Sequence, residues 1–375
     1  MDDNIIVVTW LGFRVASGLG FSQYCCRLEV GGPGAPSGSV LDGIDGRGSR
    51  SLRGSVIVSS RRFQILALDG GGYKGMFSAA VLARLEEDLR TSIVNHFDLV
   101  AGTSTGGIIA LALGAGKAPQ EIVNFYTEHG PRLFGHRRRR TVRQLVRSKY
   151  DVDPLKVALE GVLGDRCLWQ SSVPLCVPSY DLRTDKVHLF RTPHSERLAR
   201  DWRERMVDVA LATSAAPTFL PAHHLRGLRL VDGGLWANNP SVVAIAEAVS
   251  EFGIDLADIR VLSLGTTSDL GVRSKRLDRG GFAAWATCAT TVILRGQSLA
   301  ASNATYHLIP KGQSLRVDPD VPDKLLRLDG VSPEELMGRA EQESRFVNEE
   351  VRRLFLDHRA GPYTPFHIPD RPATA

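Results

Sequence analysis

Residues 97–111 read FDLVAGTSTGGIIAL, and this stretch predicts a strand, a sharp glycine-rich turn and a helix in direct succession. The turn, GTSTG at 102–106, fits G-x-S-x-G, a pattern in which a strained strand-to-helix turn holds a serine hydroxyl at a sheet edge. Gly102 and Gly106 relieve the crowding of such a turn. A turn without chemistry also favours glycine and serine, but the strand before it and the helix after it favour a nucleophile, Ser104.

A second unit of the same kind lies upstream. Residues 63–68 read FQILAL, a short apolar run typical of a buried strand, and the glycine-rich sequence DGGGYKG follows at 69–75. From Met76 to Leu89 apolar residues recur at helical spacing, which predicts an amphipathic helix.

The glycine-rich sequence at 69–75 contains G-x-G-x-x-G, but two nucleotide-binding interpretations fit it poorly. A dinucleotide site needs an acidic residue about 20 positions later at a strand end, and a Walker loop needs GK[ST]. An oxyanion hole suits the sequence better, because glycines leave backbone N–H groups uncovered for a developing negative oxygen. The candidate residues are Gly70, Gly71 and Gly72, with Lys74 adding positive charge and Gly75 closing the motif.

A catalytic serine needs a base, and Asp232 is the candidate. It follows the apolar run LRLV at 228–231 and precedes Gly233 and Gly234. A carboxylate is a weak base in water, with a pKa of about 3.9, but burial raises that value. An aspartate before two glycines is also a common turn residue, so spacing alone leaves both interpretations open.

A histidine-assisted triad is the alternative to a serine–aspartate pair. In the order Ser, Asp, His, the triad could be completed by His307 or His358. Neither histidine directly follows a clear strand, so the pattern favours the pair without histidine.

Further apolar runs, at Val173–Val177 and Ile259–Leu264, alternate with helical patterns and predict an α/β fold. Ligands of such sheets bind where the strands end. We therefore expect the glycine-rich turn, Ser104 and Asp232 to lie together at one edge of the sheet.

Arginine is concentrated between the second and third predicted strands, in HRRRRTVRQLVRSK at 136–149. Arg137, Arg138, Arg139 and Arg140 could contact phosphate groups of lipid or nucleotide, or form a solvated basic surface. The segment lacks the interleaved aromatic residues of a base-reading surface, so we expect no nucleic-acid partner.

Composition limits the class of protein and its cellular location. The 375 residues carry a net charge of +5, with 43% hydrophobic and 23% charged residues, as in globular proteins. The five cysteines match no zinc pattern, and no apolar stretch approaches a membrane span, so we expect reduced thiols, no metal or resident cofactor, and a cytoplasmic protein. Residues 1–60 are predicted to be a disordered extension, because 31–60 are rich in glycine, serine and arginine without periodicity.

Together, DGGGYKG, GTSTG and DGG resemble the three motifs of the patatin-like phospholipases, in the same order. The resemblance covers residues 63–245 and extends to ATSAAPTFLP at 212–221 and DGGLWANNP at 232–240. It implies a three-layer α/β/α sandwich with a central, mostly parallel sheet. It also implies that Ser104 and Asp232 cleave acyl esters through an acyl-enzyme, without histidine. Lys74 stands where many members of the family carry arginine. Residues 246–375 are expected to complete the sheet and its helical layer.

The longer sequences ILALDGGGYKGMFSAAVLARLE and HFDLVAGTSTGGIIALALG are similar to the phospholipase effectors of bacterial antiphage signalling, known as CBASS. That resemblance implies activation by a cyclic dinucleotide, attack on the cell's own phospholipid membrane from its inner face, and assembly into a homo-oligomer. Two alternatives remain open: an acyltransferase that uses the same acyl-enzyme, and a non-enzymatic nucleotide-binding module.

Overall fold

The computed structural model describes residues 62–134, 150–269, 277–281, 285, 288–321 and 332–369. The predicted N-terminal extension at 1–60 and the arginine segment Arg137–Arg140 lie outside these residues.

Ten strands are present in the described part of the chain. Eight of them form one sheet, and β8 and β10 form a separate parallel pair. Their bounds are β1 Phe63–Leu68, β2 Leu99–Gly102, β3 Leu175–Asp181, β4 Lys186–Arg191, β5 His223–Leu225, β6 Leu228–Asp232, β7 Ile259–Leu264, β8 Ser268–Asp269, β9 Ser314–Val317 and β10 Asp320–Val321.

The helices of the described residues alternate with these strands. Their bounds are α1 Gly75–Leu89, α2 Thr105–Gly114, α3 Pro119–Phe134, α4 Asp153–Leu163, α5 Met206–Thr213, α6 Gly234–Ala237, α7 Ser241–Phe252, α8 Ala289–Leu308 and α9 Pro333–Phe355.

The main sheet runs in the order β5-β6-β3-β2-β1-β7-β9, with β4 paired to β3. The strands from β3 through β9 in this order are parallel to one another, whereas β4, β6 and β5 join by antiparallel pairing. The prediction of a central, mostly parallel sheet is therefore confirmed.

Two apolar layers cover the sheet because successive strand residues point to opposite faces. In β1, Leu66 and Leu68 pack into the larger core with α1, α2, α3, α4, α5 and α9, while Ile65 and Ala67 pack into a smaller core with α7. All four of these side chains have no solvent exposure. This arrangement is the predicted three-layer α/β/α sandwich.

Asp232 reaches the functional edge by an antiparallel route. β3 pairs with β2 at Leu175 and Cys176, and then with β6 at Ser179–Asp181, beyond the point where β2 has ended. β6 forms a hairpin with β5 and runs against β3 until Asp232 lies opposite Ser179. Asp232 therefore approaches the end of β2 from the opposite direction, rather than lying beside it at the end of a parallel strand.

Candidate active site

The serine turn between β2 and α2 has strained backbone geometry. Ser104 lies at φ 54° and ψ −121°, in the region of positive φ that residues other than glycine rarely adopt. A sharp change of chain direction at this residue lifts its side chain from the sheet edge, while α2 starts directly behind it at Thr105. A strained turn between a strand and a helix is what the G-x-S-x-G pattern predicts for a nucleophile.

Close backbone packing explains the two flanking glycines. A Cβ on Gly106 would lie 2.2 Å from the carbonyl oxygen of Leu68, and a Cβ on Gly102 would lie 2.1 Å from the carbonyl oxygen of Gly106. No side chain fits at either distance, so α2 can begin against the end of β1 only if both positions are glycine.

A buried threonine fixes the backbone of the nucleophile. The N–H of Ser104 donates to Oγ1 of Thr213 at 3.0 Å, and the Thr213 hydroxyl donates to the Pro178 carbonyl at 2.6 Å. Thr213 has no solvent exposure. The serine turn is thereby tied through α5 to β3, the strand with which β6 pairs as far as Asp232.

Ser104 and Asp232 form a hydrogen-bonded pair. Ser104 Oγ donates to Asp232 Oδ2 at 2.6 Å, and the Gly234 N–H donates to the other carboxylate oxygen, Oδ1, at 2.7 Å. Gly233 allows the turn after Asp232, since a Cβ there would lie 2.2 Å from the Pro178 carbonyl oxygen.

Burial makes Asp232 a stronger base than a solvated aspartate. Loss of solvent raises its pKa to about 6, although the hydrogen bonds from Ser104 and Gly234 act in the opposite direction. A carboxylate with this pKa is ionised at neutral pH and accepts a proton more readily than one at 3.8.

The glycine-rich turn divides into anchored and open N–H groups. Gly70 donates its N–H to the Asn238 carbonyl at 3.0 Å, so that group is already engaged. Among the described residues, no acceptor is bonded to the N–H of Gly71 or Gly72, and both residues line the cavity beside Ser104. The geometry narrows the predicted oxyanion hole to Gly71 and Gly72.

The sequence suggested that Lys74 adds positive charge to the oxyanion hole, but its ammonium group binds a carbonyl of another segment. Its side chain is buried, and Nζ donates to the Thr267 carbonyl at 2.8 Å. It therefore links the glycine-rich turn to the segment after β7. Gly75 begins α1, and a Cβ there would lie 2.1 Å from Oγ1 of Thr105, so α1 and α2 start in close contact.

A cavity of about 100 Å³ opens onto Ser104 and Asp232. Apolar side chains from α2, α4, the segment after α5, α6 and α8 dominate its wall. They are Ile108, Leu155, Ala216, Pro217, Phe219, Leu220, Leu235 and Leu294, with Tyr150 beside them. Such a wall suits a hydrocarbon chain next to a polar reacting group.

Histidine is absent from the described lining of this cavity. His358, on the C-terminal tail, contacts Asp98 Oδ2 through its Nε2 at 2.8 Å. His307 is an exposed residue near the end of α8. The described geometry therefore favours a serine–aspartate pair over a triad.

The sequence profile of the family described as patatin-like phospholipase matches residues 66–245. A cGAMP-activated phospholipase of Vibrio cholerae serotype O1 is 30% identical over 329 residues, which are 77% of this chain and 92% of that protein. The chain belongs to the patatin-like phospholipase family. This membership confirms the predicted resemblance and the prediction that the chain is a hydrolase.

Two further relatives bear the name cGAMP-activated phospholipase. The protein of Pseudomonas aeruginosa is 39% identical over 60% of this chain and 68% of its own length. The protein of Escherichia coli is 34% identical over 56% of this chain and 64% of its own length.

Two residues of the site escaped the sequence analysis, although both lie in segments that were singled out for resemblance. Thr213 lies in ATSAAPTFLP, and Asn238, which lines the cavity and binds Gly70, lies in DGGLWANNP. Their positions within these segments are the signal by which they could have been found.

Proposed function

We propose that this chain is a lipid acyl hydrolase that cleaves phospholipid acyl esters with Ser104 and Asp232. The observation that carries the proposal is the 2.6 Å hydrogen bond from Ser104 Oγ to the buried Asp232 carboxylate, in the lining of a largely apolar cavity. Family membership supports the same reaction.

In the first half of the reaction, Ser104 Oγ attacks the ester carbonyl carbon while its proton passes to Asp232 Oδ2. The carbonyl oxygen becomes an oxyanion within reach of the Gly71 and Gly72 N–H groups. The bond to the glycerol oxygen then breaks, and that oxygen takes the proton from Asp232. The products are a lysophospholipid and an acyl group esterified to Ser104.

In the second half, water replaces the alcohol. Asp232 accepts a proton from the water as its oxygen attacks the acyl carbon, and the same two N–H groups stabilise the second oxyanion. Ser104 Oγ leaves and takes the proton back from Asp232, so that free fatty acid is released. The apolar wall holds the hydrocarbon chain through both halves.

We further propose that a cyclic dinucleotide activates the enzyme and that it acts as a CBASS antiphage effector, attacking membrane from its inner face. The names of three relatives, each a cGAMP-activated phospholipase, support this regulation. In the described residues, no helix is long and apolar enough to cross a membrane. Contact of Arg137–Arg140 with phosphate and assembly into a homo-oligomer remain part of the proposal.

Fatty-acid release from phospholipid vesicles, with and without cGAMP, tests the proposal. We expect cGAMP-dependent release by the native protein and a loss of about 10⁴-fold or more in Ser104→Ala and Asp232→Asn. Ser92→Ala and Asp255→Asn, which alter exposed residues, are the matched controls and should behave as the native protein. Release that survives Ser104→Ala would contradict the proposal, and acyl transfer to an added alcohol without free fatty acid would indicate an acyltransferase.

A further inference from the structure

An ion pair holds the first residue of the glycine-rich turn. Asp69 directly follows β1 and is 3% exposed. Arg316, on β9, donates from Nη1 to Asp69 Oδ1 at 2.7 Å and from Nη2 to Asp69 Oδ2 at 2.6 Å. Two parallel bonds between planar groups fix the orientation of the carboxylate as well as its position.

Arg316 is itself held by its own side of the sheet. β7 and β9 pair in register at Ser263 and Arg316, and Arg316 Nη1 donates to Ser263 Oγ at 2.7 Å. Nη2 also donates to Asp318 Oδ2 at 2.9 Å. The guanidinium therefore extends from β9 past β7 to the end of β1, with a fixed contact at each step.

Backbone hydrogen bonds also fix the start of the glycine-rich turn at Asp69 and Gly70. The Asp69 N–H donates to the Leu264 carbonyl at 3.0 Å, and the Gly70 N–H donates to the Asn238 carbonyl, also at 3.0 Å. The next two residues are Gly71 and Gly72, which face the cavity. A rotation of Asp69 would thus be passed within two residues to the proposed oxyanion donors.

We propose that Arg316 is a positioning residue for the oxyanion-binding turn and acts on it through Asp69. The inference rests on the proposed hydrolase function. Arg316 lies outside residues 66–245, which match the family profile, so the C-terminal part of the chain supplies a residue on which the active-site geometry depends. Serine and aspartate remain the reacting groups, and Arg316 touches neither of them.

Arg316→Lys tests the proposal because it keeps the positive charge but loses the bidentate geometry. Hydrolysis of a soluble fatty-acid ester in the presence of cGAMP should show kcat reduced about 100-fold, with KM changed by less than about twofold. Arg200→Lys is the matched control, since Arg200 makes a bidentate pair with Asp201 at 2.8 and 2.7 Å, away from the cavity lining. Its kcat should equal that of the native enzyme.

A second measurement does not depend on activity. In Arg316→Lys, amide hydrogen exchange should accelerate in a peptide covering residues 69–76 and stay unchanged in one covering 99–113. The native kcat and native exchange in Arg316→Lys would overturn the inference while leaving the proposed hydrolase intact. A uniform rise in exchange, with a lower Tm and native kcat per folded molecule, would show a merely structural role and also overturn it. If the native protein shows no Ser104-dependent hydrolysis, the proposed function fails, and exchange at 69–76 still decides whether Arg316 positions the turn.

Discussion

The serine turn at 102–106 and the glycine-rich turn at 69–75 follow neighbouring parallel strands, yet they are held in different ways. The serine turn is shaped by backbone contact, since Gly106 meets the Leu68 carbonyl at a distance that excludes any side chain. The glycine-rich turn is held by side-chain contacts with distant segments: Arg316 binds Asp69, and the turn's own Lys74 donates to the Thr267 carbonyl. The first is an intrinsically strained turn, whereas the second depends on its surroundings.

This difference separates two tasks in the proposed reaction. The nucleophile needs one fixed direction, which strained backbone geometry at Ser104 supplies locally. The oxyanion hole needs two N–H groups to be directed at a point in space without being bonded to other protein groups. Anchoring Asp69 and Gly70 on one side leaves Gly71 and Gly72 free for that purpose.

Of the two turns, the glycine-rich turn should show the larger loss of activity when its backbone is crowded. In Gly71→Ala, the new Cβ would lie 2.0 Å from Thr266 Oγ1, so the turn must shift. We expect kcat for a soluble ester to fall about 10²–10³-fold, the typical result of losing an oxyanion donor. Gly161→Ala is the matched control, because a Cβ at that helical position meets nothing within 4 Å. Equal activity of the two variants would remove the distinction between the turns.

A smaller effect is expected on the serine turn. Thr213→Val keeps the side-chain shape but removes the acceptor of the Ser104 N–H, so the strained turn loses one fixed contact. We expect kcat to fall about 10- to 100-fold, measured on the same ester, with recovery in Thr213→Ser, which restores the hydroxyl. Native activity in Thr213→Val would show that the glycines and the backbone alone determine the turn.

The smallest effect concerns the pair on which both turns converge. Asp232 must be ionised to accept the serine proton, and its pKa is about 6. The value of kcat/KM should therefore be level above that pH and fall about tenfold per pH unit below it. A pH–rate profile from about pH 4.5 to 8 measures this directly, with Tm followed over the same range. A profile that stays level down to pH 4.5 would contradict a buried aspartate base.

The local elements of the fold followed from the sequence. β1 and β7 have the predicted bounds, Phe63–Leu68 and Ile259–Leu264, because continuous apolar runs between breakers specify buried strands. The helix predicted from Met76 begins one residue earlier, at Gly75, and ends at Leu89 as predicted.

Pairings between distant segments could not be predicted from local patterns. The antiparallel direction of β6 depends on its hairpin with β5. The strand β5 is only three residues long and has no clear apolar period. Arg316 lies in SLRV, an ordinary short strand, and nothing in those letters indicates a partner 247 residues away. Local patterns also could not predict that the Gly70 N–H is already bonded, because its acceptor is the distant Asn238 carbonyl.

Covalent labelling with a fluorophosphonate tests the central claim most directly, because the reagent forms a stable adduct with an activated serine. The cGAMP-treated protein should gain one adduct, located by mass spectrometry on the peptide that contains Ser104. Ser104→Ala should gain none, and Asp232→Asn should react more slowly by orders of magnitude. An adduct on another residue, or labelling of Ser104→Ala at the native rate, would contradict the assignment of Ser104 as the nucleophile.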